Sequence, residues 1–333
     1  MNAMVLAAGL GTRLRPITYS MPKPMVPVLN RPVMEHIVRL LEGNDFHRIV
    51  ANLHWFPDTI TDHFGDGSAF GVDLEYSHEE KLHGTAGGVF EARDFLGDSF
   101  LVISGDALTD IDLTAMKAFH ESHGGVATLA TKKVEDTSEF GVVITGDDGR
   151  VQGFQEKPGP AEALSDLANC GIYMFEREIF DFFPGPGESR LARPGQPGGF
   201  ADWALDVFPA LMESGRPFYS HEVDSYWNDV GTVSEFLQGS FDGLTGKVDL
   251  SIEEPEKETG TWVNGSVATE GVEINGPALI AEGCEIAPGA ELTGPLVLGR
   301  NCKVGEGARV KEAILLDGAE VPAGHFAVGG VLG

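Results

Sequence analysis

The sequence predicts an α/β chain in two parts, a Rossmann-like domain on a mixed, mostly parallel sheet followed by a short parallel β-helix of hexapeptide repeats. Three observations predict it. Short β-rich runs alternate with amphipathic runs of helical length from Ala3 to about Gly239. Beyond Trp262 an aliphatic residue returns at every sixth position. The length of 333 residues, with 42% hydrophobic and 22% charged side chains, suits about two globular domains.

In the first part, "AMVLAA" from Ala3 reads as a strand, and Val33, Met34, Ile37, Val38, Leu40 and Leu41 mark a helical stripe. "RIVANL" from Arg48 is a strand, Pro57 to Phe64 a short helix and "VDLEYS" from Val72 a strand. "VFEARDFL" from Val89 is helical, "FLVISGD" from Phe100 a strand and Asp112 to His123 a helix. In such sheets ligands bind at the carboxyl ends of the strands, which directs attention to Gly9–Lys23 and Ser104–Asp106. The run "PGPGESRLARPGQPGG" from Pro184 to Gly199 reads as a mobile surface loop. A second low-hydrophobicity stretch holds Glu253, Glu254, Glu256 and Glu258, so the expected division is a domain over 1–240, a linker over 241–261 and a second domain over 262–333.

In that second domain Ile274, Ile280, Ile286, Leu292, Leu298, Val304, Val310 and Leu316 recur at a period of six. Small or apolar residues stand two places before each, from Val272 to Ile314. Fifteen of the 44 glycines fall in the last 74 residues, where tight corners call for positive φ. This is the pattern of a β-helix whose triangular coil takes three hexapeptides. Cys284 and Cys302, one coil apart, are expected to stack on adjacent strands as thiols in small apolar slots.

Charge narrows the partners. The chain carries 23 Lys+Arg against 51 Asp+Glu, a net −28, which disfavours nucleic acid and anionic membranes. Its three cysteines are too few and too scattered for a disulfide framework or a zinc site and suit a reducing compartment. With no basic leader before an apolar stretch and no long apolar run, the expectation is a soluble cytoplasmic protein.

Against this acidic background, residues 1–34 hold Arg13, Arg15, Lys23 and Arg31 and no Asp or Glu. The island coincides with "AAGLGTRLRP" from Ala7, a Gly-rich turn directly after the first strand. Gly9 and Gly11 let the backbone approach an anion, exposed amides can hydrogen-bond phosphate, and Arg13 adds a charge-assisted fork. A polyphosphate is therefore the natural ligand. The turn is neither a Walker A loop nor the dinucleotide fingerprint, because it lacks Gly-Lys-Ser/Thr and a third glycine. Pro22 and Pro24 are expected to hold Lys23 on an extended, stiff segment.

The stretch Leu6 to Val28 resembles the signature of the sugar-1-phosphate nucleotidyltransferases, which join a nucleoside triphosphate to a sugar 1-phosphate and release pyrophosphate. The resemblance continues in order through "GTAGG" from Gly84, "SGD" ending at Asp106, "EKP" from Glu156, "NCGIYMF" from Asn169 and "YWNDVGT" from Tyr226. It extends to the C-terminal β-helix that several members carry, which is left-handed. The mannose-1-phosphate guanylyltransferases are nearest in pattern, with "GTAG" similar to the guanylyl-transferring branch.

The resemblance implies nucleotide binding by Leu6, Ala8, Gly9, Gly11, Thr12, Arg13, Gly84, Thr85, Ala86 and Gly87. It implies sugar-phosphate binding by Lys23, Gly105, Glu156, Lys157, Asn169 and Gly171. Asp106 and Asp229 would hold Mg²⁺, and with Arg13 and Lys23 they form the implied catalytic set. The substrates implied are GTP and mannose 1-phosphate, and a homo-oligomer is expected. The chemistry fits the residue types, since in-line attack on an α-phosphorus joins two anions and needs charge neutralisation and alignment. Mg²⁺ takes one or two carboxylates plus phosphate and water oxygens, and both aspartates follow strand-like runs. His54, Trp55, His78 and His83 lack metal-ligand spacing and read as packing or pocket-wall residues.

Three alternatives stand beside this reading. One keeps the chemistry with UTP or dTTP and glucose 1-phosphate. Another is a non-catalytic regulatory subunit that binds nucleotide sugar, although Arg13, Lys23, Asp106 and Asp229 are all present. The third is a β-helix acyltransferase, disfavoured because after His221 the chain has only His325, beyond the repeats.

Overall fold

The first strand, β1 (Asn2–Leu6), is apolar on both faces, as a central parallel strand must be when helices cover each side. Ala3 and Val5 enter one core with Met34, Ile37, Val38 and Leu41 of helix α1 (Val33–Gly43). Met4 enters the other, with Val89 of α2 (Gly84–Glu91) and Phe208. β2 (Arg48–Leu53), β3 (Asp73–His78) and β4 (Ser99–Ser104) follow the same alternation. The computed structural model describes residues 1–184 and 200–333. All but one residue of the Pro/Gly run read as a loop lies outside the described residues.

β3, β2, β1 and β4 run parallel in that order. The other half of the sheet is built on β8 (Leu167–Glu176), antiparallel to β4 and to β5 (Ala127–Lys133). β6 (Gly141–Thr145) and β7 (Val151–Glu156) form an antiparallel pair beside β8. The sheet is thus mixed, and its parallel half ends in the loops that carry the glycine and "SGD" motifs. The helix placed from Val89 starts at Gly84, and Thr85 lies in its first turn with His83 at the cap. Lys23 begins a short 3₁₀ turn, Lys23–Met25, and is not on an extended segment, because Pro24 falls where a helical turn tolerates proline.

The C-terminal strands form a curled sheet of parallel ladders. Glu273 pairs with Glu291, Ala278 with Leu296 and Glu285 with Lys303, each eighteen residues further on. Cys284 and Cys302 therefore precede neighbouring strands, and both are buried free thiols. The six-residue period slips at its last step. Val297 pairs with Ile314 and Leu298 with Leu315, a shift of seventeen, so Leu315 points inward where Leu316 was expected. The strand Arg309–Leu315 turns at Glu312, whose φ is 48°, and one residue is lost from the repeat there.

One outward face of the curl is apolar. Leu279, Val297 and Ile314 are 0–2% exposed and join the α1-side core. Asn30 Nδ2 donates to the Leu298 carbonyl at 3.1 Å across the same junction. Arg31 donates to Ser251 Oγ at 2.7 Å and pairs with Glu253 at 2.5 Å, tying the low-hydrophobicity stretch to α1. Among the described residues no helix is long and apolar enough to cross a membrane.

At the start of α1, Glu35 lies with its side chain 7% exposed, 2.8 Å from Arg39 Nη2 and 2.9 Å from His63 Nε2. Burial opposes its ionisation, but hydrogen bonds from His63 and Arg39 outweigh burial and bring the carboxyl from 4.5 to about 2. A depressed carboxyl stabilises the fold above its unfolded value, and that contribution fades as pH falls from about 4.5 toward 2. We therefore expect Glu35→Gln to cost roughly 2–3 kcal/mol in urea unfolding at pH 7, with the gap to wild type closing through that acid window. An equal penalty at pH 7 and pH 3 would contradict this assignment.

Candidate active site

β1 and β4 are neighbours with Leu6 opposite Ser104, so the loops that leave them emerge side by side. Gly105 makes the junction possible, because its amide donates to the Leu6 carbonyl at 2.9 Å and a Cβ there would lie 2.7 Å from that oxygen. Gly11, with φ of 59°, turns the first loop against Lys23; a Cβ on it would sit 2.9 Å from the Lys23 Cβ. Thr18 Oγ1 closes the loop by donating to the Gly11 carbonyl at 2.7 Å. Ala8 is buried, while Gly9 and Thr12 are exposed at the mouth.

Two cation–carboxylate pairs occupy the junction. Lys23 Nζ pairs with Asp106 Oδ2, and Ser104 Oγ donates to the other Asp106 oxygen at 2.7 Å. Arg13 Nη2 lies 3.6 Å from Asp229 Oδ2, and its Nη1 is 3.2 Å from Glu139. Asp229, more than one hundred residues from Asp106, arrives on the segment after the short strand Trp227–Asn228, which pairs antiparallel with Leu108–Thr109. Burial raises the Asp229 carboxyl above its usual range, Lys23 opposes this, and Glu235 and Asp106 add to it. Asp229 Oδ1 and Glu235 Oε2 are buried without a hydrogen-bond partner. Gly231 leaves room between these groups, since a Cβ would meet Arg13, Asp229 and Glu235 at 2.9–3.0 Å.

Beside this junction opens a cavity of about 290 Å³, lined by Leu6, Ser104, Thr85, Glu156, Asn169, Gly171, Tyr173, Asp202 and Trp203 among others. Gly171 has φ of 69° at a register shift of β8, where the chain passes over Ser104. Asn169 Nδ2 donates to the Tyr173 hydroxyl at 2.9 Å, and its Oδ1 accepts from the Gly171 amide at 3.2 Å. The helix start at Gly84 faces Ala201, whose carbonyl accepts from the Ala86 and Gly87 amides at 3.0 and 3.1 Å. Thr85 Oγ1 donates to Asp202 Oδ2 at 3.0 Å.

The structure thus brings Arg13, Lys23, Asp106 and Asp229 into one junction and puts Leu6, Thr85, Glu156, Asn169 and Gly171 on the adjoining wall. Lys157 does not line the cavity; it is exposed, with φ of 47°. Ala86 and Gly87 spend their amides on Ala201. Sequence reasoning missed Glu139, Glu235, Asp202 and Trp203, and pointed to Ser104 only as the start of the Ser104–Asp106 strand end. Ser104 stood within "SGD" and gave a signal; Asp202 and Glu235 stand at helix starts, where acidic residues are common, and carry no distinguishing pattern.

The family model described as nucleotidyl transferase matches residues 2–245. A UTP–glucose-1-phosphate uridylyltransferase of Synechocystis sp. is 40% identical over 297 residues, covering 84% of this chain and 74% of the relative. A mannose-1-phosphate guanylyltransferase of Mycobacterium tuberculosis is 33% identical over 325 residues, 97% of this chain and 82% of the relative. Among solved structures, a Bacillus anthracis protein with the provisional description glucose-1-phosphate thymidylyltransferase, crystallised with sucrose, superposes with a TM-score of 0.64 at 25% identity, over 75% of this chain and 97% of that one. The chain therefore belongs to the nucleotidyl transferase family, in its sugar-1-phosphate nucleotidyltransferase branch.

Proposed function

We propose that the chain makes a nucleoside diphosphate sugar in the cleft between the glycine loop and β8, with GTP and mannose 1-phosphate as its substrates. The observation that carries the site is the convergence of Arg13 and Lys23 from the glycine-loop stretch, Asp106 from the end of β4 and Asp229 from a third stretch of chain on one strand-end junction. The "GTAG" run and the Mycobacterium relative spanning 97% of the chain support the guanylyl reading. A second reading, UTP with glucose 1-phosphate, is favoured by the 40% identity to the Synechocystis protein.

Asp106 and Asp229 suit a divalent cation. Asp229 Oδ1 is a buried oxygen without a partner, and the set is all carboxylate, as a hard cation requires. Mg²⁺ would take its other oxygens from phosphate and water. When bound, the ion would neutralise phosphate charge and hold the reacting oxygens in line. The chain's own residues do the rest. Arg13 is 42% exposed at the mouth and turns from Asp229 and Glu139 to the triphosphate, where its fork draws charge from the departing pyrophosphate. Lys23 leaves Asp106 for phosphate oxygen at the reacting centre, so each ion pair exchanges partners without leaving a bare charge.

Leu6, Ala8, Gly9, Gly11 and Thr12 form the nucleotide wall with Gly84, Thr85, Ala86 and Gly87. Thr85 and the helix start line the base side, where the Asp202 carboxylate accepts from the Thr85 hydroxyl and the Ala201 carbonyl from the Ala86 and Gly87 amides. Gly105, Glu156, Asn169 and Gly171 receive the sugar, with Glu156 accepting from sugar hydroxyls and Asn169 offering both donor and acceptor. Lys157 reaches the sugar phosphate from the rim. We assign 1–240 to the catalytic domain, 241–261 to a linker and 262–333 to a left-handed β-helix of hexapeptide coils. Helix α3 (Val233–Leu244) continues a few residues into the linker. We also assign a cytoplasmic homo-oligomer.

Pyrophosphate release measured across GTP, UTP, ATP and dTTP with mannose and glucose 1-phosphates, Mg²⁺ omitted and restored, tests the substrate pair. GTP with mannose 1-phosphate should lead; preference for UTP with glucose 1-phosphate would establish the second reading instead. Asp106→Asn and Asp229→Asn should each lower kcat by at least about a hundredfold while nucleotide binding persists within about tenfold, since their carboxylates act mainly in the transition state. Retained Mg²⁺-dependent turnover in either variant would refute the assignment. Lys157→Ala should raise KM for the sugar phosphate roughly tenfold and leave KM for the nucleotide unchanged in initial-rate kinetics.

A further inference from the structure

Beneath the two loops of the nucleotide wall runs a buried polar bridge that the proposed reaction does not use. Asn52, at the end of β2, is 3% exposed, and Glu79, just after β3, is 5% exposed. The Ala7 amide, where the chain leaves β1 for the glycine loop, donates to Asn52 Oδ1 at 2.8 Å. Asn52 Nδ2 donates to Glu79 Oε1 at 2.7 Å, and the His83 amide, just ahead of Gly84, donates to Glu79 Oε2 at 2.9 Å. Gly88 of α2 lies directly on the bridge, because a Cβ there would come within 2.5 Å of Glu79 Oε1 and 2.7 Å of Asn52 Nδ2.

No ion pair to Glu79 is found among the described residues, so a carboxylate is held in the interior by neutral donors. Such burial costs more than an apolar pair of the same shape. Stability alone does not account for it. The bridge ends on backbone amides of the phosphate-side loop and the base-side loop, and its polarity is fixed throughout. Two amide donors point at Glu79, so both of its oxygens must accept. Asn52 cannot turn over, because its oxygen is already given to Ala7.

We propose that Asn52 and Glu79 are positioning residues that fix the span between the glycine loop at Ala7 and the "GTAGG" loop at His83, so that one nucleotide engages both loops with base and triphosphate in register. This rests on the nucleotide site described under Proposed function. A nucleoside triphosphate spans both loops and draws affinity from their fixed separation, whereas tripolyphosphate engages the glycine loop alone.

The test compares dissociation constants for GTP, UTP and tripolyphosphate with Mg²⁺, by calorimetry on the full chain, together with thermal unfolding. Glu79→Gln sets an amide N–H₂ against Asn52 or the His83 amide, and Asn52→Asp sets two carboxylates face to face. Each should weaken the better-bound nucleotide about tenfold and tripolyphosphate less than about threefold, the scale of one unsatisfied buried group. The reciprocal pair Asn52→Asp with Glu79→Gln restores every donor to an acceptor, since the introduced carboxylate accepts from Ala7 and from the introduced amide, whose oxygen accepts from His83. It should recover the wild-type ratio of nucleotide to tripolyphosphate affinity. Should either single variant fail to fold, Asn52→Ser removes the bridge without opposing like groups and should show the same selective loss. A merely structural role predicts a lowered melting temperature with the ratio unchanged; that result, or a folded reciprocal pair as weak as the singles, would overturn the proposal. Arg13→Ala separates the two claims. If it leaves nucleotide binding intact, the site itself is wrong, whereas if it weakens binding while the single variants keep the wild-type ratio, the positioning claim alone fails.

Discussion

The geometry of the candidate site depends on the pairing of β1 with β4, with Leu6 opposite Ser104 and Gly105 pressed against the Leu6 carbonyl. That contact sets the glycine loop beside Asp106, and only then can Lys23 reach across to pair with it. The pairing is secured from both faces of the strands, since Ala3, Val5, Leu101 and Ile103 lie in one core and Met4, Phe100 and Val102 in the other. Loops anchored this close to buried strand ends inherit the rigidity of the strands.

Electrostatics follows from that placement. In a chain of net charge −28, cations gathered at one end of the sheet would be drawn to the many surface carboxylates. Pairing Lys23 with Asp106 and Arg13 with Asp229 keeps both signs at the junction in a low-dielectric setting. In the proposed reaction anions and a cation would take up these pairs by exchange. The Asn52–Glu79 bridge is held by neutral donors whose hydrogen bonds converge on Glu79, from Ala7 through Asn52 on one side and from His83 on the other.

Much of this was legible from residue pattern. The strand and helix alternation located α1, β2, β3 and β4, because apolar periodicity reports directly which face of an element is buried. Of the basic residues concentrated before Glu35, Arg13 and Lys23 fall at the strand-end junction, whereas Arg31 pairs with Glu253. Elsewhere periodicity misled. The six-residue repeat gives Leu316 as inward, but the turn at Glu312 drops one residue and puts Leu315 inside, while Ile314 joins the α1-side core. Flanking prolines suggested an extended Lys23, yet Pro24 fits the 3₁₀ turn that starts there.

By itself the sequence determined which segments are strands and helices, where the positive charge lies and which short motifs follow strand ends, because these depend on local composition and on periods of two, 3.6 and six. The tertiary structure alone decided that Asp229 meets Arg13, that Ala201 takes the amides of the Gly84 helix start, and that Asn52 and Glu79 join under both loops. Those contacts link residues far apart along the chain. Their partners are chosen by strand order and loop closure, which leave no periodic trace in the residues they bring together.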